Sequence, residues 1–158
     1  MSASYEPVSD FLKEVIAEEI PLTGSAYADA NLRHLIVLTQ DCDKSNRDWA
    51  TMLLSQEDVD TPETRKALLR AADDLDPDVR AEALVGIARR DRALALPLVL
   101  AALQGDHVSC PTFEAAGMVA DATLVEPLEQ WTYPSGNAML DDVIQDALKA
   151  CRTGVPLH

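Results

Sequence analysis

Aromatic side chains make up only 4% of the 158 residues and glycine only 6 positions, so the strand formers and turn glycines that sandwiches and barrels need are scarce. An all-β architecture is thereby nearly excluded. Bases are scarce too: 13 Lys+Arg stand against 27 Asp+Glu, and a formal charge of −14 repels polyanions at neutral pH. No nucleic-acid partner is expected. The 3 cysteines, Cys42, Cys110 and Cys151, are odd in number and far apart with no Cys-x-x-Cys, which argues for reduced thiols rather than a disulfide framework. Long apolar runs are missing. The least polar window, Ala93 to Leu103, is broken by Pro97 and falls short of the roughly 18 to 20 residues of a membrane span, so no membrane association is expected. Met1 to Pro7 has neither the basic stretch nor the apolar core of a secretory signal, and a cytoplasmic protein is expected.

What the chain does contain is an internal repeat. Leu35, Asp41, Asp43, Arg47, Ala50 and Leu54 superpose on Leu68, Asp74, Asp76, Arg80, Ala83 and Ile87 with one shift of 33 residues. A shift of 30 carries Leu68, Ala71, Ala72 and Asp76 onto Leu98, Ala101, Ala102 and Asp106, and Asp91, Leu94, Pro97 and Leu98 onto Asp121, Leu124, Pro127 and Leu128. Periods of this length belong to stacked solenoids, with each unit reading as two helices that bury one apolar stripe apiece. The first helices carry Trp49, Ala50, Leu53 and Leu54, then Leu84, Ile87 and Ala88, then Ala115, Ala116, Val119 and Ala120. The second carry the column Leu35, Leu68, Leu98 and Leu128. The segment 35–39 alone could pass for a strand, but its register with 67–72 makes it a helix.

The segment Asp76-Pro-Asp-Val-Arg80-Ala-Glu-Ala83-Leu-Val-Gly-Ile87 resembles HEAT repeats of the short bacterial, phycobilisome-lyase type, whose core is Asp-x-x-Val-Arg-x-x-Ala. In the first unit Asn46 stands where Val is usual, and in the third Thr112 stands where Arg is expected. The resemblance spans roughly Asn31 to Tyr133 and implies an all-α fold, a right-handed α-α superhelix of about three to four helix pairs. One domain is expected over 1–158: a leading helix over 8–20 with Ser9 or Asp10 as N-cap and Pro21 as stop, repeats over 31–133, and a capping helix over 139–151. The tail from Thr153 to His158 is expected to fray.

Constellations that could carry chemistry are few. Asp74, Asp76 and Asp78 match the start of a calcium loop, but Val79 replaces its glycine and Val85 its bidentate Glu, so they are assigned to helix capping, with Arg47 and Arg80 tying successive turns into a ladder. His107 and Cys110 are one pair where a structural zinc site needs two. His34 is expected at the solvent edge and Trp49 in packing. Trp131 and Tyr133, near the edge of the last repeat, fit either core packing or a contact surface. Catalytic residues, a metal site and a cofactor are all expected to be absent.

These features point to a non-catalytic scaffold that binds a protein partner, an acidic inhibitor or immunity protein neutralising a basic target such as a nuclease toxin. Charge is distributed to suit: residues 1–32 carry −5, 33–92 carry −3 and 93–158 carry −6. The resemblance also implies an enzymatic alternative, handling of a bilin or another small ligand, and more remotely a DNA glycosylase, which a basic groove would have to accompany. The docking surface is expected on the second helices, where Arg33, Val37, Lys66, Arg70, Leu96, Leu100, Glu126 and Gln130, with Leu103, would line the concave side. A second copy of the chain or the chain's own N-terminal segment could cover its apolar middle instead.

Overall fold

The computed structural model describes residues 5–158, and every regular element among them is helical. The helices are α1 (Asp10–Ile16), α2 (Ala26–Leu38), α3 (Lys44–Gln56), α4 (Pro62–Ala71), α5 (Pro77–Arg90), α6 (Arg92–Leu103), α7 (Cys110–Val119), α8 (Val125–Glu129), preceded by one 3-10 turn at Ala122–Leu124, and α9 (Ala138–Thr153). Their starts are written in side chains: Ser9, Ser25, Asp43, Thr61, Asp76, Asp91, Asp121 and Asn137 each accept a backbone N–H of the first turn they precede. Each such cap satisfies one of the four donors that a helix start leaves free.

The helices form two rows. In one, α3, α5, α7 and α9 pack extensively on their successive neighbours, whereas α2, α4, α6 and α8 in the other scarcely touch one another. Small residues allow the close row: a Cβ placed on Gly86 would stand 2.6 Å from Ser55 Oγ and 2.9 Å from Leu68 Cδ2. A two-layer stack curves toward the row whose helices stand closer, so α3, α5, α7 and α9 form the inner face. The core lies between the rows, where Leu35, Leu54, Leu68, Leu124 and Leu128 are fully buried.

Three expectations need correction. Leu98 is only half-buried, and the core positions of α6 are Ala95, Val99 and Leu103. Helix α6 is apolar nearly all round, so no polar face fixed its rotation and the sequence alignment placed its register one residue early. The leading helix spans Asp10–Ile16 rather than 8–20, because the chain turns left-handed at Glu18 (φ 59°). The C-terminal segment does not fray: Gly154 closes α9 in the left-handed region (φ 71°), and the chain then returns to α7, where Leu157 N donates to Gly117 O at 3.0 Å. Gly117 admits this contact because a Cβ there would meet Leu157 Cδ1 at 2.5 Å.

Candidate functional site

The turns between rows are cross-linked by side chains, and these links frame the inner face. Arg47 Nη1 donates to Asp41 O and Cys42 O of its own turn, while its Nε and Nη2 grip the Asp74 carboxylate of the next at 2.9 and 3.3 Å. Asp74 also accepts from Asp76 N, and Asp76 caps α5. Asn46, in place of the usual Val, donates to Asp41 and accepts from Ser9 N, tying α1 onto the first turn. At the other end of these helices, Arg90 closes α3: its guanidinium donates to Leu54 O, Glu57 O and Val59 O at 2.6 to 3.1 Å and to Gly86 O at 2.9 Å. Burial holds its pKa down.

On this frame the inner row displays one carboxylate per helix, Asp48 on α3, Glu82 on α5 and Glu114 on α7, at intervals of 34 and 32 residues that follow the repeat. Glu82 is pushed up to about 7, first by burial and then by the negative charges of Asp48, Glu114 and Asp78. No ion pair or hydrogen bond reaches its carboxylate among the described residues. Burial also raises Glu114 and, with Asp78 and Asp76 adding to it, Asp48. Asp48 accepts from Tyr5 Oη at 2.9 Å, and Lys44 lies 5.5 Å over the Tyr5 ring while pairing with Asp78 at 3.3 Å. Cys110, one turn before Glu114, has its thiol pushed up by burial and by Glu114 and Glu82, so the reactive thiolate is suppressed. The strip is therefore a row of crowded, partly dehydrated acids that keep their protons to higher pH than free carboxyl groups do.

The residues expected to form the docking ridge lie elsewhere. Arg33, Val37, Lys66, Arg70, Glu126 and Gln130 are exposed, but on the loosely joined outer row rather than the concave side. Lys66 and Arg70 line a shallow open depression with Leu69, Asp73 and Leu75. Leu96 and Leu100 are half-buried against the core, and Leu103, 3% exposed, belongs to the core itself, on a helix packed against α5, α7 and α8. Trp131 resolves toward packing: its Nε1 donates to Leu103 O at 3.2 Å and its ring meets Phe113 edge-on, while Tyr133 stays exposed. The acid strip escaped the sequence reading, although its one signal, a carboxylate recurring at the repeat period on the first helices, was present.

A family model for HEAT repeats matches residues 32–131. Protein YibA of Escherichia coli K12 is 28% identical over 104 residues, 66% of this chain and 37% of its own length, and YibA of strain O157:H7 matches equally. The X-ray structure of Escherichia coli YibA superposes with a TM-score of 0.62 at 23% identity, over 89% of this chain and 54% of that one. The chain thus spans a little over a third of the length of these curated relatives.

Proposed function

Because the chain belongs to the HEAT-repeat family, we propose that it is a non-catalytic scaffold for protein binding, and that the strip of Asp48, Glu82 and Glu114 receives a basic partner. The observation that carries this reading is Glu82, a carboxyl group half-buried among three other acids with no cation to balance it. A Lys or Arg inserted there would relieve the repulsion, and burial would strengthen the pair relative to one in open water. The finer role that suits a domain of charge −14 is that of an inhibitor or immunity protein holding a basic target such as a nuclease toxin. Lyase-like chemistry has less support, since the thiol beside the strip is held protonated.

The test is capture from lysate on immobilised wild type and on the double variant Glu82→Lys with Glu114→Lys, both checked for helicity by circular dichroism. A basic protein retained by the wild type, lost by the variant and released by salt is the expected result. Retention by both, with loss in Lys66→Glu with Arg70→Glu, would move the site to the outer row.

A further inference from the structure

The ladder that ties the turns together breaks at its third rung, and the break leaves a formed cavity. Asp41, Asp74 and His107 follow one another at intervals of 33, so His107 stands where the ladder carboxylate is due. Arg80 nonetheless adopts the pose of Arg47: its Nη1 donates to Asp74 O at 2.7 Å and Leu75 O at 3.1 Å, as Arg47 Nη1 does to Asp41 O and Cys42 O. In Arg47 the remaining fork, Nε and Nη2, holds the Asp74 carboxylate. In Arg80 the same fork has no acceptor among the described residues. It borders a cavity of about 310 Å³ shared with His107, Ser109 and Thr112 and walled by Leu84 and Leu98.

The third repeat does not continue the ladder from its own side either. The shift of 33 that places His107 on the ladder carries Arg80 onto Phe113, so the third repeat has no Arg of its own at this rung, and Thr112, one residue earlier, lines the cavity. Asp78, at the start of α5, does not compete for the fork, since its carboxylate is taken by Ser109 Oγ at 2.7 Å and Lys44 Nζ at 3.3 Å.

We propose that the Arg80 fork, with Thr112 and His107 beside it, is a binding site for a small organic carboxylate with a short apolar body. The fork is planar and matches a carboxylate with two parallel N–H donors, as Arg47 demonstrates one rung earlier. The leucine walls suit a hydrocarbon tail, and a cavity of this volume lies at the small end of ligand sites. Multiply charged phosphates are disfavoured by the overall charge of −14.

The probes are acetate, butyrate and benzoate, titrated into the full chain at constant ionic strength, with inorganic phosphate alongside. The readout is the Arg80 side-chain Nε–H resonance by NMR, together with the melting temperature. Saturable movement of that resonance, tighter for butyrate or benzoate than for acetate, is the expected result. Arg80→Lys, which keeps the charge but loses the fork, should weaken binding by about tenfold or more. His107→Asp should place the missing ladder carboxylate in the fork, raise the melting temperature and abolish binding. A resonance that no carboxylate moves, movement equal in wild type and His107→Asp, or phosphate binding as tightly as butyrate would each overturn the assignment. Glu82→Lys with Glu114→Lys should leave carboxylate binding intact, so this site and the acid strip fail or stand separately.

Discussion

Arg90 is the residue whose contribution the sequence hides most completely. It follows Arg89 as one more base near a helix end, yet its guanidinium satisfies carbonyls of α3, of the following loop and of its own helix at once. Arg90→Ala should cost about 2 to 4 kcal/mol, because several carbonyls lose a charged donor while remaining shielded from water. Arg90→Lys should recover only part of that, and urea unfolding of the two variants measures the difference. Glu82 acts in the opposite direction. Its carboxyl has an ordinary value of 4.5 in the unfolded chain and about 7 in the folded one, so the folded state binds more protons between those values and stability falls as pH rises through that window. Glu82→Gln should therefore raise the unfolding free energy by about 1 to 2 kcal/mol at pH 8, after discounting for partial exposure and screening, and leave it nearly unchanged at pH 4.

Helices were legible wherever they had two distinct faces. Helices α4 and α5 combine buried Leu68, Ala71, Val79, Ala83 and Ile87 with charged outer positions, and their register came out as the repeat pattern indicated. Helix α6 lacks a polar face, so the expected core position, Leu98, gave way to Val99. Leu68→Ala should cost about 2 to 5 kcal/mol, whereas Leu98→Ala, at a half-buried site, should cost clearly less by the same chemical unfolding measurement. Close approach was invisible for a different reason, since a glycine inside a helix looks like a weakness until its neighbour is known. Gly86→Ala gains about 1 kcal/mol of helix propensity but drives a methyl into Ser55 and Leu68, both fully buried. Overpacking of about 1 to 3 kcal/mol should win, and a lowered urea midpoint would show it.

The molecule as a whole sets its charge against its own inner face. Repeat geometry carries Asp48, Glu82 and Glu114 to one side of neighbouring helices, a juxtaposition that follows from the period of the fold but that no local motif announces. The expected concave surface was assigned to the wrong row for a related reason: periodicity identifies which residues are buried, while curvature depends on which row packs closer, and that is decided by small residues such as Gly86, Ala116 and Ala147 across helix pairs. If a basic partner seats on the strip, its cations must meet ionised carboxylates. Below about 7 the free protein holds a proton on Glu82, and binding must expel it. Affinity should therefore rise with pH between about 5.5 and 7.5, by at most about tenfold per unit for this one group, and flatten above. Calorimetric titration in two buffers of different ionisation enthalpy would detect the released proton directly. Glu82→Gln should remove both the slope and the proton release while retaining part of the affinity through Asp48 and Glu114. A slope that persists unchanged in that variant would assign the titrating group to the partner and place Glu82 outside the contact.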